Sequence, residues 1–226
     1  LSVGLVKVLL LSSIVMIEHQ SVIDSFLKNS QWDSLKISLI AMSYLIFVYL
    51  NFSGYMDIIL SISNLFGFKL PENFHKPFLA HSFLNFWDRW HISLSSWIKD
   101  FLFTPLLKTL VYCKSGYWWI LLFGILTYFI TFLILGIWHG TTLPFIYCGI
   151  MLGVGASINK IAQVIWGIAT LIRTVSKYTL ISQGVSAIFS GLTFAHVSLA
   201  IAGFWLTWEQ MIDQWNNASI TNLVDV

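Results

Sequence analysis

The chain has 226 residues, of which 57% are hydrophobic and 10% are charged, and its formal net charge is +2. Soluble domains carry about 25% charged residues, so this composition excludes a soluble globular protein and indicates an integral membrane protein. The small net charge gives no reason to expect a nucleic-acid partner. The two cysteines, Cys113 and Cys148, have neither the spacing of a metal site nor that of a disulfide framework.

The N-terminal part of the sequence predicts two membrane spans with a polar stretch between them. Leu1–Ile17 is a short apolar run, Glu18–Ser34 is polar, and Leu35–Phe68 is apolar again. The last run is too long for one straight span, and we expect a kink at Gly54. Because the chain begins without methionine and is already apolar, we interpret it as a fragment whose N-terminal part is missing.

Basic and aromatic residues are frequent from Lys69 to Lys114, a stretch that is too apolar for a free loop and too charged for a simple span. We predict interfacial and re-entrant helices there, covered by neighbouring protein. The distribution of lysine and arginine places this stretch and Lys160–Lys177 on the cytoplasmic side of the membrane. The acidic segment that precedes Leu35 then lies outside.

The C-terminal half predicts three further apolar segments. Tyr117–Trp138 is a clear span, His139–Thr142 is a break, and Leu143–Ile158 is the second arm of a hairpin. A loop is expected over Asn159–Lys177, and Tyr178–Trp208 is apolar again.

His139 stands at the end of an apolar run, between Trp138 and Gly140. An ionisable group at membrane depth is costly to keep there and is by default a candidate functional residue. An imidazole can remove a proton from a hydroxyl group and return it, and burial would keep the ring neutral, as a base requires. The adjacent glycine lets a substrate or another backbone come close. A histidine that only hydrogen-bonds two helices together remains the alternative.

A second histidine, His91, lies within an aromatic run of the basic stretch. Trp87, Trp90 and Trp97 recur around it at helical spacing, which predicts an interfacial amphipathic helix with an aromatic stripe. That helix explains the tryptophans fully, but it explains the histidine less well.

Two aspartates stand close to these motifs. Asp88, His91 and Ser95 would share one face of a helix, and a polar stripe packed against another helix explains them better than a catalytic row does. Asp57 lies in an apolar run, where a carboxylate is costly unless it is paired. We expect a structural partner for Asp57, such as Arg89 or a histidine.

Four motifs follow one another along the chain. They are Asn51–Asp57, Leu70–Phe78, Phe86–Trp97 and Ile137–Gly140. Their content and order resemble the membrane-bound O-acyltransferase (MBOAT) family. The likeness is strongest to its bacterial branch, which includes the alginate O-acetylation membrane protein and the teichoic-acid D-alanyl transfer protein.

The resemblance implies an all-α, polytopic bundle with re-entrant helices around a central tunnel. Residues 1–226 would form a single membrane domain, the C-terminal part of that fold. It also implies that His139 is the catalytic histidine and that His91 is a second important one. The side chains expected at the substrate are Trp138, Trp87, Arg89, Trp90, Asp57 and Asn51.

The predicted activity is transfer of an acyl group to a hydroxyl of an extracytoplasmic polysaccharide or other envelope polymer. Acetyl is the first choice of acyl group and D-alanyl the second, and the donor would be a thioester or an acyl carrier. The resemblance implies no metal and no tightly bound cofactor. Expected partners are a donor-carrying protein, the acceptor polymer, accessory envelope proteins and membrane lipids, at the bacterial cytoplasmic membrane.

Two other classes of function stay open from the residues alone. A proton-coupled transporter could use Asp57, His91 and His139 as a relay, although the sequence lacks the internal symmetry that many transporters show. A non-catalytic scaffold of a polysaccharide-export complex is the other class.

Overall fold

A computed structural model describes the backbone of residues 1–29, 34–114, 116–172 and 179–212, and the side chains of residues 1–24, 37–114, 116–165 and 187–212. Most of the described residues are helical and none of them lies in a strand, so the all-α prediction is confirmed. Five helical segments among them are long and apolar enough to cross a membrane. These segments are Ser2–Asp24, Ile37–Leu65, Tyr117–His139, Leu143–Ile165 and Ala187–Phe204.

The first of two compact units comprises residues 1–73 and the C-terminal segment from residue 201. It begins with α1 (Ser2–Leu5), a π-helical segment (Val6–Leu11) and α2 (Ser12–Asn29), which follow one another without a break. The predicted end of the first span at Ile17 is therefore wrong, because the helix continues through the polar residues that follow.

His19 shows why a helix can continue through this polar stretch. Its side chain is 1% exposed, and its Nδ1 lies 2.9 Å from Ser43 Oγ. The Ser43 hydroxyl donates to the Ile40 carbonyl at 2.7 Å, so the Ser43 oxygen accepts its hydrogen bond from His19. The rings of Tyr44 and Trp205 lie 5.4 and 5.2 Å from the imidazole, centroid to centroid. The polar residue is thus accommodated by the protein interior.

Helix α3 (Ser34–Leu65) runs without a break through Gly54, where the sequence predicts a kink. This glycine lies at a close approach to the N-terminal helical segment. A Cβ atom at Gly54 would stand 2.7 Å from Lys7 Cβ and 3.0 Å from the Gly4 carbonyl oxygen. The absence of a side chain there allows the two helices to pack tightly.

The second compact unit comprises residues 74–200. It opens with short helices: a 3₁₀ turn (Pro77–Leu79), α4 (Phe83–Trp87), α5 (Ile92–Ile98), a π-helical segment (Lys99–Phe103) and α6 (Thr104–Cys113). None of them qualifies as a span by length and composition. From Ile92 to Cys113 they follow one another without a gap and form one continuous helical arm.

Two long helices follow, α7 (Tyr117–His139) and α8 (Leu143–Ile172), and the predicted break between them is confirmed. The loop predicted from Asn159 is wrong as far as Ile172, and residues 173–178 lie outside the described part of the chain. Asn159 does not end the helix because its side-chain oxygen accepts hydrogen bonds from the Leu84 amide (3.4 Å) and from Gln163 (3.3 Å).

Glycines bring α7 and α8 into backbone contact. A Cβ at Gly136 would stand 2.6 Å from Gly149 Cα and 2.6 Å from the Phe145 carbonyl oxygen. Farther along, the Ser157 hydroxyl donates to the Ile125 carbonyl at 3.4 Å, which shows that the two helices are antiparallel. Small residues of this kind are typical of helix contacts in membranes, where close approach of the backbones supplies much of the packing.

The last helix of this unit is α9 (Thr179–Ala200). His196 joins it to α8, because the imidazole Nε2 donates to the Met151 carbonyl at 2.8 Å. The 3₁₀ turn Ile201–Phe204 follows and belongs to the first unit. The predicted apolar segment begins at Tyr178, which lies outside the described residues.

Candidate active site

The helical arm Ile92–Cys113 and α7 form a hairpin, which we call the α5–α7 hairpin. Its arms touch midway, where the rings of Phe103 and Tyr128 lie 4.5 Å apart, centroid to centroid. His91 lies 12 residues before Phe103, and His139 lies 11 residues after Tyr128. Equal lengths of helix have nearly equal rise, so the hairpin carries both histidines to its open end.

The two histidines interact electrostatically. Burial lowers the pKa of His91 below its usual value of 6.5, and the charge of His139 lowers that pKa further. The second effect requires the two imidazoles to lie within range of each other's charge. His91 is therefore neutral at pH 7, with one ring nitrogen able to donate a hydrogen bond and the other able to accept one.

The backbone at His91 is in the left-handed region, with φ 46°. The residue precedes α5, while α4 has already ended at Trp87. The prediction that Asp88, His91 and Ser95 share one helical face is therefore wrong, because the helix is interrupted between them. A left-handed conformation is uncommon for any residue with a side chain, and such strain concentrates at functional sites.

Hydrogen bonds hold the strained segment in place. The Arg89 carbonyl accepts from the His75 amide at 2.9 Å, and the Arg89 guanidinium Nε donates to Asn85 Oδ1 at 3.2 Å. The Ser95 hydroxyl donates to the Trp90 carbonyl at 3.1 Å. Asn85 was not among the predicted site residues. Its position one helical turn before Arg89 is the signal that could have identified it.

The predicted substrate-binding tryptophans of this segment pack into the protein. Trp90 is buried and stacks on Phe86 with ring centroids 5.3 Å apart. Trp87 lies against Phe132 of α7 at 5.1 Å. Its indole N–H is buried and has no hydrogen-bond partner among the described residues. In this geometry both side chains brace the segment that carries His91.

His139 is the last residue of α7, and its side chain is exposed rather than buried as expected. The ring of Trp138 lies 4.9 Å from the imidazole, edge to face, and is 67% exposed. The space that the absent side chain of Gly140 leaves open is occupied by the Phe145 ring, which a Cβ at that glycine would meet. His139 thus stands beside an accessible indole at the end of a helix.

Asp57 and Asn51 lie on α3, in the first unit. The Asp57 carboxylate is paired with Lys7, whose Nζ lies 2.7 Å from Oδ2. The expected partner, Arg89 or a histidine, is therefore wrong, although the expectation of a structural pair is met. Asn51 is exposed. Where side chains are described, no group of three or more His, Cys, Asp or Glu residues could hold a metal ion.

These features define an α-helical membrane protein with two interacting histidines at the open end of a hairpin. The sequence model of the MBOAT (membrane-bound O-acyltransferase) family matches residues 1–165 of this chain. The chain belongs to this family.

Curated relatives act on different polymers. The chain is 39% identical over 120 residues to a teichoic acid D-alanyltransferase from Streptococcus thermophilus, which covers 50% of this chain and 27% of that protein. It is 29% identical over 191 residues to a probable alginate O-acetylase AlgI from Pseudomonas fluorescens. This match covers 81% of this chain and 36% of that protein. It is 32% identical over 139 residues to a peptidoglycan O-acetyltransferase from Helicobacter pylori. This match covers 60% of this chain and 24% of that protein. The chain thus spans about a third or less of the length of these relatives.

Proposed function

We propose that this chain carries the catalytic histidines of an enzyme that transfers an acyl group to a hydroxyl of a cell-envelope polymer. The observation that carries the proposal is the placement of His91 and His139 at the open end of the α5–α7 hairpin, where the charge of His139 acts on His91. Family membership supports acyl transfer to oxygen, and the names of the three relatives support an envelope polymer as acceptor. The bacterial cytoplasmic membrane is the corresponding location.

In the proposed reaction, His139 removes the proton from the acceptor hydroxyl as its oxygen attacks the acyl carbonyl carbon. The bond from that carbon to the donor sulfur or oxygen breaks, and the leaving group takes the proton from His139. The carbonyl end of α7 carries a partial negative charge, which stabilises the imidazolium formed in between. General base catalysis of this kind contributes about 10²- to 10⁴-fold in rate.

His91 has a different proposed role. It is neutral and half-buried, so it can donate a hydrogen bond to the developing oxyanion or orient the substrate. Trp138 offers an exposed apolar surface beside the reacting centre. Trp87 and Trp90 pack against neighbouring rings, and Arg89 hydrogen-bonds to Asn85, so these side chains hold the segment with His91 in place. Asn51 and Asp57, which lie on α3, remain predicted substrate contacts.

Acetyl is the first proposed acyl group, because two of the three relatives are an O-acetylase and an O-acetyltransferase. D-alanyl is the second, favoured by the D-alanyltransferase match. The proposed partners are a donor-carrying protein, the acceptor polymer, accessory envelope proteins and membrane lipids. The co-substrate is an activated acyl donor.

The test is polymer acylation in cells that carry the full-length gene. We expect His139→Ala to remove ester-linked acyl groups at normal membrane abundance. His75→Ala is the matched control, because that histidine is exposed and uses only its backbone amide in the site. Mild base releases the acyl group, and its identity distinguishes acetate from D-alanine. Undiminished acylation by His139→Ala would favour the transporter or the scaffold.

A further inference from the structure

The closed end of the α5–α7 hairpin carries a dense group of exposed aromatic residues and a lysine. We call this group the turn surface. Its members are Tyr112, Lys114, Tyr117, Trp118 and Trp119. Tyr112 is 94% exposed and Trp118 is 74% exposed. The catalytic histidines lie at the other end of the hairpin, so the proposed chemistry does not use this surface.

The lysine of the turn surface is held in place by an aromatic ring. Lys114 Nζ lies 4.1 Å from the centroid of the Trp119 ring, a cation–π contact. Trp119 in turn lies against Phe123, with ring centroids 5.6 Å apart. The ammonium group is therefore positioned where the apolar span of α7 begins. Tryptophan and tyrosine favour this position because their rings suit the boundary between hydrocarbon and headgroups.

The charged residues in the sequence that follows Asp100, up to Glu209, are all basic. The sequence contains no aspartate or glutamate between Asp100 and Glu209. The antiparallel contact between Ser157 and Ile125 directs the C-terminal part of α8, with Lys160, toward the same end of α7 as Lys114. Two lysines therefore lie toward one face with no nearby carboxylate in sequence to neutralise them.

We propose that the turn surface binds the phosphate of anionic phospholipid headgroups. The exposed aromatic rings would enter the boundary of the hydrocarbon, and Lys114 would meet the phosphate above it. A lysine near an anionic membrane surface contributes about 1 kcal/mol to binding, equivalent to about fivefold in affinity. The attraction falls with added salt, because the surface is exposed to solvent.

The test uses the full-length protein purified in a neutral detergent, with binding of phosphatidylglycerol and phosphatidylcholine measured by native mass spectrometry. We expect wild type to bind phosphatidylglycerol more tightly than phosphatidylcholine. We expect Lys114→Gln to weaken phosphatidylglycerol binding about fivefold and to leave phosphatidylcholine unchanged. Lys114→Arg should keep the preference, because arginine also makes cation–π contacts and binds phosphate.

The matched control is Lys99→Gln. Lys99 is exposed on the same helical arm but lies 15 residues before Lys114, a rise of about 22 Å. We expect this variant to bind phosphatidylglycerol like wild type. Equal binding of the two lipids by wild type would overturn the proposal, and that comparison does not depend on any variant folding. Equal losses in Lys99→Gln and Lys114→Gln would also overturn it, because the effect would then be one of overall charge.

Discussion

Gly136 offers the sharpest test of how the fold positions His139, which lies three residues farther along α7. Gly136→Ala places a methyl group 2.6 Å from Gly149 Cα and from the Phe145 carbonyl oxygen. Both neighbours are backbone atoms of α8, so neither can move aside by a change of rotamer. To reach the ordinary contact distance of 3.4 Å, the helices must separate locally by about 0.8 Å.

The size of the effect follows from this displacement. Overpacking of a well-packed contact costs typically 1–3 kcal/mol. A misplacement of about 1 Å in a catalytic group can lower the rate about 10²-fold. Alanine also stabilises a helix by roughly 0.5–1 kcal/mol relative to glycine, which acts in the opposite direction. We therefore expect Gly136→Ala to lower both the unfolding temperature and the acylation rate.

Gly124 provides the matched control on the same helix. No described atom lies within 4 Å of a Cβ built at Gly124, so Gly124→Ala gains helix stability without a clash. The difference between the two variants isolates the contact, because the gain in helix propensity is common to both. The assays are thermal unfolding of the full-length protein in detergent and polymer acylation at matched membrane abundance. If Gly136→Ala is as stable and as active as Gly124→Ala, the close contact between α7 and α8 is not what positions the site.

Four further predictions concern His91, the pair of Asp57 with Lys7, and the two cysteines. His91→Asn should be more stable than His91→Val, by about 1–2 kcal/mol, because asparagine tolerates the left-handed backbone and a β-branched residue does not. Since folding lowers the pKa of His91 from 6.5, the protein should lose stability as the pH falls below about 6.5, and His91→Asn should reduce that loss in thermal unfolding curves. Asp57→Asn should destabilise the protein by between about 1 and 3 kcal/mol, and adding Lys7→Met should recover part of this in a double-mutant cycle; additive losses would contradict the pair. A thiol reagent should modify Cys113 in the native full-length protein and Cys148 only after unfolding, and equal labelling would contradict their assigned exposures.

Much of the helical layout follows from the length of apolar runs, because a membrane span must satisfy its backbone hydrogen bonds internally. The helix Tyr117–His139 and the break after it follow from the apolar run in this way. The predicted helix bounds are wrong where a polar residue interrupts an apolar run without ending the helix. Polarity alone cannot show that His19 donates to Ser43, 24 residues away, or that Asn159 accepts from Leu84, 75 residues away.

The candidate site could also be predicted only in part, because its geometry depends on contacts and backbone conformations that the sequence pattern does not show. The two histidines and their tryptophan neighbours could be identified as candidates from sequence, and the resemblance gave them roles. Helical spacing could not reveal the left-handed residue at His91, because the pattern of side chains continues across the interruption. Asp57 pairs with Lys7, 50 positions away in the sequence. The need of the carboxylate for a positively charged partner could have been met by many other basic residues, so the sequence could not identify Lys7.

The length of α7 has a consequence for the surrounding lipid. Its 23 residues rise roughly 34 Å, only slightly more than the hydrocarbon thickness of about 30 Å. With aromatic residues at one end and His139 at the other, the helix has little spare length to absorb hydrophobic mismatch. A thinner bilayer must tilt α7 or deform around it. We therefore expect the depth of the His139 imidazole to vary with the acyl-chain length of the host lipids, so that bilayer thickness acts on the end of α7 that carries this residue.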